Sequence, residues 1–156
     1  MDHTFDCALD LGSIKGEIST KDENFANLVG VLSWSWGAVQ AGAAGATTGK
    51  VNVQELTVTK YLDRASPNLF QACCLGQVGK IAKATLKART SGKMFLEIEM
   101  EEVLVSSYSV GGGGETMPTE TVGLSFTKVK VKYTPRETRG SGAVEAGWDI
   151  NGNKKV

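Results

Sequence analysis

The chain reads as a mainly β protein: a compact β-barrel of two antiparallel sheets with one flanking α-helix and an extended loop. Three observations carry that reading. Apolar and polar residues alternate in several short runs, the period-two spacing that sends successive side chains to opposite faces of a sheet. Only Ser66 to Gly76 carries both a helix start and a helix stop. Small or glycine-rich stretches separate the runs, as in folds that wrap many short strands around one core.

Phe5, Cys7, Leu9 and Leu11 alternate with Asp6, Ala8 and Asp10, a half-buried first strand. Residues 13–27 are polar and mixed and read as a connection. Leu28 to Val39 reads as one strand, with Leu32, Trp34 and Trp36 on a buried face and Ser33, Ser35 and Gly37 opposite. The small residues of 41–49 cannot bury much area and read as a mobile loop. Strand signal resumes from Val51 to Tyr61.

In the helix, Ser66 is the expected N-cap, Pro67 suits the first helical position, and Gly76 supplies a left-handed stop. So short a helix must dock on the sheet, and Leu69, Phe70, Ala72, Cys73 and Cys74 allow one packed face. A hairpin follows. Ala82, Ala84, Leu86 and Ala88 alternate with Lys83, Thr85, Lys87 and Arg89; after a turn, Met94, Leu96, Ile98 and Met100 alternate with Phe95, Glu97, Glu99 and Glu101. One strand is thus basic and its partner acidic on the same side, which helps set register.

Gly111 to Gly114 break the chain. Between 120 and 133 the apolar phase switches, from Val122, Leu124 and Phe126 to Val129, Val131 and Tyr133, which predicts a bulge or sheet corner. Gly147 to Ile150 reads as a last short strand before a polar, basic tip.

Composition narrows the function. With 156 residues the chain suits one domain, 1–156. Lys+Arg and Asp+Glu number 17 each, so no basic surplus points to nucleic acid or to a membrane surface. A neutral surface lacks the repulsion that keeps copies apart and favours self-association. The start, Met1 to Asp6, is acidic and has no basic-then-apolar leader, and no apolar run is long enough to span a bilayer. These features predict synthesis in the cytoplasm. Cys7, Cys73 and Cys74 form neither a disulfide framework nor a zinc spacing and read as small buried hydrophobes.

Catalytic chemistry has no visible place. The one histidine, His3, sits at the terminus, and no metal-ligand spacing appears. Gly45 to Lys50 looks like a phosphate loop, but it is one residue short, Val51 replaces the hydroxyl residue, and a strand follows instead of a helix. No cofactor is expected.

Several stretches, in order and spacing, resemble the Hcp (haemolysin-coregulated protein) family: Val31 to Gly37, Gly49 to Leu56, Thr59 to Pro67, Glu102 to Ser109, Pro118 to Glu120, and Ala146 to Ile150. The resemblance spans nearly the whole chain. It implies hexameric rings that stack into a hollow tube of the type VI secretion apparatus. Such a tube works with sheath and spike proteins, carries effectors, and is released without a signal peptide. An effector-sheltering chaperone ring, or a tail-tube protein of a phage-like contractile device, are the rival readings.

The residue assignments follow from that resemblance together with the strand faces. The ring-stacking loop is expected at Gln40, Gly42, Ala43, Ala44, Gly45, Thr47, Thr48, Gly49 and Lys50. Ser33 and Ser35 are expected on the lumen wall, in contact with effectors. Sheet edges and the charged hairpin, through Lys83, Lys87, Glu97, Glu99 and Glu101, are expected to close the ring. One departure stands out: Cys74 follows Cys73 where the family carries one cysteine and a small residue.

Overall fold

A computed structural model describes residues 5–42, 44–45, 49–78, 80–135 and 142–156. Among the described residues, twelve strands and one helix run in the order β1 Cys7–Asp10, β2 Val29–Gly30, β3 Ser33–Ser35, β4 Ala38–Gln40, β5 Val51–Val53, β6 Leu56–Tyr61, α1 Ser66–Leu75, β7 Ile81–Thr90, β8 Lys93–Gly111, β9 Thr119–Ser125, β10 Lys128–Tyr133, β11 Val144–Asp149 and β12 Lys154–Lys155. Every pairing is antiparallel.

The long strand β8, 19 residues, belongs to two sheets. Its first part joins a sheet of order β12-β11-β10-β8-β7-β1-β2, and its last part joins a second of order β3-β6-β9-β8. The crossing point is Glu102, whose φ of 52° is a left-handed kink in a non-glycine residue. There the Thr127 amide donates to the Glu101 carbonyl, at 3.1 Å, while the adjacent chain passes from β9 to β10. The phase switch seen in the sequence is this corner: Val122, Leu124 and Phe126 are buried under one sheet and Val129 under the other.

The expected strand from Val51 to Tyr61 is two, β5 pairing only with β4 and β6 lying in the second sheet. The expected strand from Leu28 to Val39 is three. The chain first pairs with β1, then with β6, then with β5, and each handover costs a residue or two of ladder. At the first handover the Val31 amide donates to the Cys7 carbonyl and the Leu32 amide to the Thr59 carbonyl. The two sheets therefore curl round one core without one uninterrupted barrel ladder. Leu9, Leu56, Val58, Leu86, Ile98, Met100, Val122 and Leu124 fill that core. At about 25 cal/mol per Å² of buried apolar surface, these side chains dominate the stabilisation.

The stretch 13–27 is more than a connection. It lays Ile18, Phe25 and Leu28 over Ala8 as a second small core, so β1 is covered on both faces instead of one. Arg89 fastens this flap: its guanidinium meets Asp22 at 2.7 Å, donates to the Phe5 carbonyl, and lies 4.1 Å from the Phe25 ring centroid. Helix α1 begins one residue earlier than expected, at Ser66 after Ala65, and stops at Gly76 in the left-handed region, φ 62°. Ser66 turns inward to a buried polar cluster instead of capping the helix.

Candidate functional site

The second sheet has an unusual outer face. Registers align Ser35, Thr57, Gly123 and Ser107 in one row across β3, β6, β9 and β8. Ser33, Thr59, Thr121 and Ser109 form the next row. Ser33 and Ser35, expected at a lumen, are thus the first members of an eight-residue face of hydroxyls and one glycine, with no charge in either row. Gly123 leaves room there: a Cβ would come within 2.4 Å of the Ser107 hydroxyl and 2.8 Å of the Glu55 carboxylate, so those side chains would have to turn away. The signal was in the sequence as a small–bulky–small triplet, Ser33-Trp34-Ser35, Thr57-Val58-Thr59, Ser107-Tyr108-Ser109 and Thr121-Val122-Gly123. The sequence singles out only the first triplet, because nothing in one strand says which others stand beside it.

Both edges of this sheet lack a strand partner among the described residues. β3 pairs only with β6, and β8 beyond Val103 pairs only with β9. Trp34, expected on a buried face, faces inward but sits at that edge and remains 38% exposed, beside Leu32 at 43%.

The first sheet presents charges instead. Lys83, Thr85 and Lys87 lie opposite Glu101, Glu99 and Glu97; these lie opposite Lys128, Lys130 and Lys132; and those face Asp149, Gly147 and Glu145. The sign alternates strand by strand. Lys83 meets Glu99 at 3.0 Å, and that hydrogen bond, then the charge of the same carboxylate, raises the Lys83 pKa. Lys132 approaches Glu97 to 3.9 Å, while Lys87 turns to Asp10 at 3.8 Å and to the Asn24 carbonyl. Of the residues expected at a ring seam, Lys83, Lys87, Glu97 and Glu99 thus meet partners within their own chain.

Between β4 and β5 lies the expected stacking loop. The two strands form a ribbon of their own, Ala38 opposite Val53 and Gln40 opposite Val51, separate from both sheets. Gln40 turns back to accept the Gly42 amide at 3.0 Å, and Gly45 takes φ 81°. Gly49 approaches so closely that a Cβ would sit 3.1 Å from the Gly42 nitrogen. Ala44, Gly45 and Lys50 are exposed; Ala43, Thr47 and Thr48 lie outside the described residues. Under the ribbon runs an apolar groove of about 650 Å³ against β10 and β11, walled by Trp36, Val51, Val53, Val129, Val131 and Trp148.

Behind the hydroxyl face sits a buried cluster that the sequence did not announce. The Lys60 ammonium, fully buried, donates to Glu120, to Asp63 at 2.9 Å and to Ser66 at 3.3 Å. Ser66 donates to Glu120 at 2.6 Å, and the Tyr108 hydroxyl donates to the same carboxylate. Burial, then the Glu120 hydrogen bond and charge, push the Tyr108 pKa up to about 12. The cluster ties α1 to the sheet. Lys60 and Glu120 are opposite one another on β6 and β9, a pair visible only once those strands are paired.

The cysteines are less uniform than small buried hydrophobes: Cys74 is exposed, Cys73 half-buried, and Cys7 half-buried with its pKa raised to about 11 by burial. Among the described residues no group of His, Cys, Asp and Glu could hold a metal ion. No described helix is long and apolar enough to cross a membrane.

Comparison with known proteins gives one consistent result. Protein hcp1 of Pseudomonas aeruginosa is 44% identical, over 95% of this chain and 96% of that protein. The crystal structure of Hcp1 from Salmonella typhimurium superposes with a TM-score of 0.80 at 35% identity, over 97% of this chain and 98% of that one. A structure described as a type six secretion system protein reaches 0.85 at 31% identity, over 98% of this chain and all of the other, 100%. The profile of the family described as type VI secretion system effector, Hcp, matches residues 9–133. With two-sheet topology, sequence and profile in agreement, the chain belongs to the Hcp family of type VI secretion system proteins.

Proposed function

We propose that this subunit of the type VI secretion tube closes into a hexameric ring with the hydroxyl face of its second sheet lining the pore. The observation that carries the reading is the pair of open edges flanking that face. Four antiparallel strands are an even number, so copies related by rotation about a ring axis meet β3 to β8 in antiparallel sense. A ring is a heterologous contact that closes by rotation, and two different edges of one sheet suit it. Free ladder groups at both edges would be satisfied by the neighbour instead of inviting open-ended aggregation.

A wall of hydroxyls suits a conduit. Its two rows carry no charge to select or hold a particular polypeptide, the one carboxylate over them, Glu55, lying against Gly123 and accepting the Ser106 hydroxyl, and their short side chains leave the bore open. Effectors would meet Ser33 and Ser35 with Thr57, Thr59, Ser107, Ser109 and Thr121. The ribbon and the loop 40–50 would reach the adjacent ring, where small residues permit close backbone approach. Sheath and spike proteins would act on the assembled tube. The role is structural and not catalytic. The charged face, neutralised strand by strand, would stay outside the seam and keep the tube soluble.

Light scattering and electron microscopy of the purified protein test the ring, and Ser35→Gln tests the pore. The variant is expected to form the same rings while effectors lose the protection that the parent gives them in cells. Loss of ring formation would move Ser35 to a seam instead. Unchanged effector protection would remove Ser35 from the wall.

A further inference from the structure

The row just behind the hydroxyl rows joins Trp34, Val58, Val122 and Tyr108 across the four strands. Its middle members are buried, while its ends lie at the two open edges. At the β3 end, Trp34 and Leu32 project on the inward side of the sheet with no strand beyond them, 38% and 43% exposed. At the β8 end is a recess of about 390 Å³, formed by Leu62, Pro67, Phe70, Tyr108 and Val110 above Asp63 and Ser66. Phe70 and Val110 are more than half exposed there, 56% and 53%. Phe70 meets Tyr108 edge to face at 6.0 Å, which fixes the wall of the recess. Among the described residues that line it, the one ionised group, Asp63, already receives the Lys60 ammonium at 2.9 Å.

One chain therefore carries an apolar knob at one edge and an apolar recess at the other, on the same side of the same sheet. Neither is suited to water: exposed large apolar side chains gathered at a sheet edge mark a contact surface. Continuing the sheet from β8 of one copy to β3 of the next extends the row, and the side that holds Tyr108 and Val110 then receives Trp34.

We propose that Trp34 of each copy seats in the Leu62–Phe70–Tyr108–Val110 recess of the next, as the apolar anchor of the ring seam. The occupant is a second copy of this chain, and the assignment rests on the ring reading above. Tryptophan in an apolar pocket is the residue type that most often dominates an interface. Helix α1 then has a purpose beyond closing the core: held by Ser66 on Glu120, it supplies Phe70 as one wall of the recess.

Dilution followed by light scattering reads the proposal. The parent chain is expected to hold rings down to low concentration. Trp34→Ala raises the concentration at which rings fall apart at least about tenfold, and Val110→Ala does so to a smaller degree. The two losses combine to less than their product, because each removes the same contact. Trp34 lies at an exposed edge, so the unassembled variant keeps the parent's circular dichroism; Val110→Ala repeats the test from the other side. Rings as tight in Trp34→Ala as in the parent overturn the proposal, as does a fully multiplicative double variant. A parent chain that stays monomeric at every concentration overturns the ring reading itself, and the seam falls with it.

Discussion

The two sheets share a strand and a core, yet they treat charge in opposite ways. The β7–β8–β10–β11 surface wears its charges outside, in strand-wise columns of alternating sign. The β3–β6–β9–β8 surface shows hydroxyls outside and hides Lys60, Asp63 and Glu120 behind them. The same ion-pair chemistry then has different weight. An exposed pair gains little against water and salt, whereas a buried ion that loses its partner keeps its full desolvation cost. The difference teaches where each sheet is meant to meet the world: one is finished by solvent, the other shows rows of hydroxyls and is open at both edges.

The largest effect that would break this comparison is at the buried cluster. Lys60→Met strands Glu120 and Asp63 and is expected to lower the stability of the unassembled chain by about 3–5 kcal/mol, read by urea unfolding. Lys60→Met with Glu120→Leu removes the buried pair, leaves only the partly accessible Asp63 without its ammonium, and should recover part of that loss. A single variant that unfolds like the parent would mean the cluster is solvated and the contrast false.

A second test is steric. Gly123→Val places a side chain against Ser107 and Glu55, and overpacking of this kind costs about 1–3 kcal/mol. Thermal melting of the monomer checks it, and Thr121→Val, one position along the same face, should melt like the parent.

A third uses pH. The folded Tyr108 pKa, about 12, lies above the value of 10.0 for a free tyrosine. Folded chains therefore hold this proton more tightly than unfolded ones. The stabilisation is complete below pH 10 and is lost as pH rises toward 12, because the unfolded state ionises first. The melting temperature of the parent should fall more steeply over that window than that of Tyr108→Phe. Equal slopes would detach Tyr108 from Glu120.

The smallest effect belongs to the charged face. Glu99→Gln should barely move the denaturation midpoint or the ring mass, since Lys83 and Glu99 are both well exposed. Loss of rings in this variant would restore the charged hairpin as the seam.

Much of this was legible in the sequence, and the rest was not for identifiable reasons. Period-two alternation located β1, β7 and the first part of β8, and the apolar phase switch located the corner at Phe126–Thr127. Alternation says which residues share a face but not which strand lies alongside. So the Lys60–Glu120 pair, 60 residues apart, and the four aligned triplets stayed hidden. Handover between partners is equally silent, which is why Leu28 to Val39 read as one strand, and why Trp34 read as buried. In the flap, Ile18 and Phe25 are too sparse for any period, although they cover β1.

The account rests on which face lines the pore. Cryo-electron microscopy of rings assembled from the purified chain decides it most directly. The account predicts a six-fold ring with Ser33, Ser35, Thr57 and Thr121 on the inner wall and β3 of each subunit beside β8 of the next. A ring whose inner wall carries Lys83, Glu99 and Lys130 would contradict it.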